Sequence, residues 1–122
     1  MVEITNSYDL EDRTLEYGKR IIKMAKNIPL NIVNNVLVRQ VVRSGLSLGA
    51  NYREANETET KKDFQFRMRI CRKEAKETVY WLKLIIEANP RLKVKMELLL
   101  DETCQLLKIF AAIIEKSKNK PI

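Results

Sequence analysis

Residues 43–57 read RSGLSLGANYREANE, and the fold turns on how this stretch is read. It lies inside a long helical pattern, yet it holds Gly45 and Gly49, two of the chain's three glycines. Ser44, Ser47 and Ala50 stand beside them, so part of a helix is nearly bare of side chains. An interior glycine costs a helix about 1 kcal/mol relative to alanine. Two of them four residues apart therefore point to close approach by another backbone. Small residues at this spacing do that work in membrane helices. Here Arg39, Arg43, Arg53 and Glu54 flank the pair and exclude a membrane span. Two readings stand: tight helix–helix packing, or a backbone approach to a ligand. The first is preferred, because phosphate loops set their glycines between a strand and a helix, and no strand pattern precedes this stretch.

Working outward, Asn31 is a cap for the helix that contains it. Val33, Leu37, Val41, Ser44, Leu48, Asn51 and Ala55 then follow at spacings of three and four, a seam that starts bulky and turns small and polar. Asn51 on that seam reads as a buried residue that fixes register, by analogy with the single polar core residue of coiled coils. Upstream, Ser7 or Asp9 can cap a first helix whose apolar stripe is Thr14, Tyr17, Ile21, Met24 and Ile28. Pro29 stops it. A hairpin about Pro29 brings Gly18 near Gly45, so that all three glycines line one contact. Downstream, residues 56–60 are turn-like, and Thr58 or Thr60 caps a third helix with the seam Phe64, Met68, Cys71, Ala75, Thr78, Leu82 and Ile85. Asn89-Pro90 ends it. A fourth helix carries Met96, Leu99, Thr103, Leu106, Phe110 and Ile113, with a second row of Leu100, Leu107 and Ile114.

These periodicities predict helices over about 9–28, 32–57, 60–89 and 92–117. Short loops between them predict an all-α, antiparallel up-down-up-down four-helix bundle. Residues 1–122 form one domain, with 1–8 a leader and 116–122 a frayed basic tail. The third helix adds Tyr80, Trp81, Leu84 and Ile86 beyond its seam. Either this surplus forms a second buried surface between subunits, hence a homo-oligomer, or it is the wide stripe of a helix buried between two others.

Composition narrows the chemistry. The chain has no histidine, which excludes Ser-His-Asp and Cys-His triads and the Glu-x-x-His pairs of di-iron bundles. Its two cysteines, Cys71 and Cys104, sit at apolar spacings and read as small core residues of a cytoplasmic protein with reduced thiols. In a hairpin about Pro90 they are offset by roughly 7 Å along the helices, too far for an easy disulfide. No apolar run nears the roughly 18 residues that span a bilayer. The expectation is no enzyme, no metal and no cofactor.

The net charge is +7, which favours an acidic partner. Between residues 61 and 83 eight cations face three anions, so this segment carries +5 of that +7. Lys62, Arg69, Lys76 and Lys83 recur every seven residues and form one stripe, with Arg72 and Lys73 beside it. A basic stripe on one helical face is the footprint expected for phosphate binding; the plain alternative is a solvated face. Glu54, Glu57, Glu74 and Glu77 resemble a carboxylate metal set. The arginines around them favour ion pairs across the bundle.

The stretches YDLEDRTLEYGKRI, LVRQVVRSGLSLGANYREANE and KKDFQFRMRICRKEAKETVYWL together resemble the proteins encoded in intervening sequences of bacterial 23S rRNA genes, also called the S23 ribosomal protein family. The resemblance covers residues 8 to 115 and is most specific from Arg43 to Ala55 and from Cys71 to Thr78. It implies an antiparallel four-helix bundle assembled as a homopentamer. It also implies a relation to the accessory variability protein of diversity-generating retroelements, a basic pentamer thought to bind nucleic acid and a reverse transcriptase. Two functions follow as expectations. One is a non-enzymatic, basic, pentameric bundle that binds RNA or DNA with little sequence specificity. The other is a protein-interaction scaffold that docks an acidic protein.

Overall fold

The computed structural model describes residues 7–118. Four helices follow one another: α1 (Ser7–Lys26), α2 (Ile32–Asn56), α3 (Lys61–Ala88) and α4 (Lys93–Lys118), with a 3-10 turn at Pro90–Leu92. They form the expected antiparallel bundle; α2 packs most extensively on α3, and α1 meets α4 only sparsely.

Local chemistry sets the boundaries. The Asn31 side chain accepts from the Asn34 N–H at 2.7 Å and starts α2. Thr60, rather than Thr58, caps α3 by accepting from the Asp63 N–H at 3.1 Å. Thr58 closes α2 instead, donating to the Ala55 carbonyl at 2.7 Å. Ser7 and Asp9 both lie within α1, and the position that precedes it is outside the described residues. The expected leader therefore ends earlier, and residues 1–6 are not described. The basic tail is helical through Lys118, because Ser117 is buried, donates to the Ile114 carbonyl at 2.7 Å and accepts from Gln65 at 2.9 Å. Residues 119–122, including Lys120, lie outside the described residues.

The α1 stripe is buried as its spacing requires, from Leu10 through Thr14, Tyr17, Ile21 and Met24 to Ile28. The α3 seam is buried from Met68 to Ile85, with Phe64 half-buried at its start. Two other seams differ from expectation. In α4 the row passes from Phe110 to Ile114 and Ser117, and Ile113 is half-buried, because a step of four replaces the step of three. In α2 the buried row is Asn34, Leu37, Val41, Ser44, Leu48, Tyr52 and Ala55. Val33 is mostly exposed and Asn51 only half-buried. The Tyr52 ring occupies the core beside Phe110, with centroids 6.3 Å apart, where the sequence reading had set Asn51.

A buried asparagine that joins helices is found instead at Asn34. Its amide exchanges two hydrogen bonds of 2.9 Å with the amide of Asn89 at the end of α3. Asn34 also donates to the Pro29 carbonyl, and Asn89 to that of Ile85, each at 2.9 Å. This pair ties the α1–α2 turn to the α3–α4 turn. At the α1–α4 contact the Tyr17 hydroxyl hydrogen-bonds to that of Thr103. Arg13 grips Glu102 there with two bonds, of 2.8 and 2.9 Å.

All three glycines line the α1–α2 contact. A Cβ on Gly45 would sit 3.0 Å from Ile21 side-chain carbons, one on Gly49 3.1 Å from the Thr14 Cβ, and one on Gly18 3.4 Å from Leu46. The glycines therefore serve helix packing, and Ile21 and Thr14 fill the space that a ligand would need. Gly49→Leu should destabilise the fold by about 1–3 kcal/mol through overpacking. A chemical denaturation midpoint equal to that of the unmodified chain would refute the packing role.

Both cysteines are free thiols, Cys71 fully buried and Cys104 half-buried. Burial pushes the Cys71 thiol up to about 12 from its ordinary 9.0. It pushes the Tyr17 phenol well above its ordinary 10.0, against a smaller opposing effect of the Thr103 bond. Both groups hold their protons in the fold where the unfolded chain has released them. Their contribution is complete below the unfolded values and is lost as pH rises through and beyond those values. The urea midpoint should therefore fall between about pH 9 and about pH 12, and fall less in Cys71→Ala. An equal alkaline loss in both proteins would show that Cys71 has no part in it.

Candidate nucleic-acid interface

Helix α3 is amphipathic along its whole length, and its outer face is cut by the heptad spacing of its cations. Lys62, Arg69, Lys76 and Lys83 are all exposed on that face. Among the described residues none of the four forms an ion pair. The two flanking cations differ. Lys73 is exposed but lies 3.8 Å from Glu74 and 3.9 Å from Glu77, so part of its charge is already answered. Arg72 is half-buried.

The four carboxylates split into two groups. Glu74 and Glu77 are bridged by Arg43 from α2, at 3.4 and 2.8 Å. The hydrogen bond to Glu77 is the main cause that raises the Arg43 pKa. Glu54 and Glu57 are exposed, and no cross-bundle ion pair of theirs is seen among the described residues. The cross-bundle pairing read from the sequence thus holds for one pair of glutamates. No three His, Cys, Asp or Glu residues among those described are grouped to hold a metal ion. Asn51 has a different part from the one expected. It donates to the Ser47 carbonyl at 2.9 Å and accepts from Arg67 of α3 at 3.1 Å. It therefore anchors a cation on the flank of the α2–α3 contact.

The α2–α3 seam itself is narrow. The hydroxyls of Ser44 and Thr78 hydrogen-bond across it at 2.8 Å, and the Cys71 thiol donates to the Leu48 carbonyl at 3.5 Å. This approach lets Arg43 reach across to Glu74 and Glu77. It thereby withdraws two of the three anions of the segment from the outer face. Sequence reasoning missed one feature of that face. Phe66 and Tyr80 are each 58% exposed, and both lie on the spacing that runs through Lys62, Arg69, Lys76 and Lys83. The signal was present, since residues 62, 66, 69, 73, 76, 80, 83 and 87 alternate steps of four and three.

The family model for the 23S rRNA-intervening sequence protein matches residues 7–112. The chain belongs to that family. A crystal structure of a protein of unknown function from the S23 ribosomal protein family of Bacteroides thetaiotaomicron is similar over 85% of this chain and 96% of that one. The two are 34% identical, with a TM-score of 0.76. No curated protein matches the chain. Membership of the 23S rRNA-intervening sequence family agrees with the four-helix bundle. No described helix is long and apolar enough to cross a membrane.

Removing Arg43 leaves the Glu74 carboxylate, 8% exposed, with only the distant Lys73 ammonium. Arg43 is itself half-exposed, so solvent screening limits its worth. Arg43→Ala should destabilise by about 1–2 kcal/mol, and by less in a Glu74→Gln background. Equal losses in the two backgrounds would show that the pair is not coupled.

Proposed function

We propose that the protein is a non-enzymatic, basic homo-oligomer that binds nucleic acid with little sequence specificity through the outer face of α3. The observation that carries this reading is the row of exposed cations Lys62, Arg69, Lys76 and Lys83, without an ion pair among the described residues and spaced over nearly six turns of one helix. Phosphates spaced along a strand are answered by charges spaced along a helix, and no base-edge reading is required. The absence of histidine from the whole chain supports the non-enzymatic part. Two free cysteines fit a cytoplasmic setting.

The oligomer is expected from the apolar surplus of α3 and α4, of which Tyr80 is 58% exposed. Trp81, Leu84, Ile86, Leu100 and Leu107 pack partly buried against the subunit's own core. Further exposed apolar side chains lie at the turn end, with Leu30, Ile32, Val94 and Leu98 between 64% and 88% exposed, and on α1 at Leu15 and Ile22. These surfaces too are open to burial between copies. Five copies is the number implied by the family resemblance alone. A ring would repeat the α3 face and make its weak phosphate contacts multivalent. The second reading, a scaffold for an acidic protein, is favoured by the same exposed apolar turn end beside basic Arg91, Lys93 and Lys95.

Binding of a random oligonucleotide should fall steeply with salt, with a log–log slope near about −0.9 per phosphate contacted on duplex DNA. Replacing Lys62, Arg69, Lys76 and Lys83 by Gln should weaken binding to every sequence and flatten that slope, while leaving the helical circular dichroism unchanged. A quadruple variant that binds as well as the unmodified protein would move the site elsewhere. Failure of the unmodified protein to bind any oligonucleotide at low salt would leave the scaffold reading in front.

A further inference from the structure

The outer face of α3 is more than a row of charges. In order along the helix it presents Lys62, Phe66, Arg69, Lys76, Tyr80 and Lys83, every one exposed. Each ring stands between two cations. Fourteen residues separate Phe66 from Tyr80, which sets the rings roughly 21 Å apart on one side of the helix. Neither ring belongs to the core, and both keep 58% of their surface open. The Tyr80 ring is held by Trp81, which meets it edge to face with centroids 5.0 Å apart and planes at 71°.

Bare phosphate binding has no use for such rings. Cations alone serve a duplex, whose bases are stacked on each other and whose outside is phosphate. A single strand offers unstacked base faces, and aromatic side chains along a basic groove are the usual means of holding them. The face also repels its own copy. It carries Lys73 as a fifth cation and Glu87 as the single carboxylate on that spacing, so two such faces would meet with like charge. Protein partners of acidic character would satisfy the cations but would not need flat rings between them.

We propose that this face binds single-stranded nucleic acid in preference to duplex, with bases stacking on Phe66 and Tyr80 while Lys62, Arg69, Lys76 and Lys83 hold the phosphates. The proposal rests on the reading of this face as a nucleic-acid surface and names the form of nucleic acid it selects. RNA and DNA share the chemistry invoked, since both offer π-faces and phosphates.

The test uses the full chain and fluorescence anisotropy with three probes of one mixed sequence: single-stranded DNA, single-stranded RNA and the DNA duplex. Three proteins are compared: the unmodified chain, Phe66→Leu with Tyr80→Leu, and the quadruple Gln variant. Leucine keeps apolar bulk on the face and removes the ring. The unmodified protein should bind single strands about tenfold or more tighter than duplex, the scale expected of one or two stacked bases. The leucine variant should lose that margin and keep its duplex affinity and salt slope. The comparison of RNA with DNA then says which strand the face prefers. Equal binding to strand and duplex by the unmodified protein, or a margin that survives in the leucine variant, overturns the stacking inference and leaves phosphate binding standing. Binding to no probe removes the nucleic-acid reading and this inference together. A change of particle mass in the leucine variant by light scattering would place the rings between copies and also overturn it. So would polyglutamate binding as tight as that of a single strand of equal charge.

Discussion

Everything in this bundle depends on how closely α2 is held by its two neighbours. On one side Gly45 and Gly49 admit the side chains of Ile21 and Thr14 against the α2 backbone. On the adjoining side Ser44 and Leu48 meet Thr78 and Cys71, residues small enough to bring the α3 axis near. A larger side chain in either place would push a helix outward, because a close-packed interior has no free volume to absorb it. The glycines cost helix propensity, and the contact they allow returns dispersion and apolar burial.

The electrostatics follow from that packing. Because α2 lies close to α3, Arg43 reaches Glu74 and Glu77 and draws their charge to the helix–helix boundary. Arg67 is likewise turned toward Asn51. The cations that remain on the outer face then have few anions near them. A basic surface in this protein is therefore a product of the core. Charged residues of both signs are spread along α3 in the sequence, and the fold sorts them by face.

Much of this was legible in the residues. Heptad spacing gave the number, order and extent of the helices, since a burial stripe at steps of three and four has only one regular solution. The close contact at the glycines was legible too, because an interior glycine pair has few other uses in a helix. The choice between Asn34 and Asn51 was not. Both fit a polar position on α2, and the step from Leu48 to Tyr52 rather than to Asn51 decides which residues turn inward. The Tyr52 ring then stacks beside Phe110, a contact between helices far apart in sequence. The fate of the apolar surplus on α3 and α4 was hidden for the same reason: periodicity gives the width of a stripe and not the reach of its neighbours. On the candidate face, the cations were visible as a repeat, whereas Phe66 stood out only once its exposure was known.

The sparse meeting of α1 with α4 carries a kinetic consequence. Nearly all the packing joins helices that follow one another along the chain, α1 to α2, α2 to α3 and α3 to α4. Loops to be closed during folding are therefore short, and a chain of this topology belongs with the fast folders of low contact order. Three helices can assemble before the fourth is engaged on both flanks. Helix α1 is bound broadly on one flank and, on the other, chiefly at Arg13 and Tyr17. It is the most sparsely packed of the four helices, so the amides of α1 should exchange with solvent through a local opening well below the free energy of global unfolding.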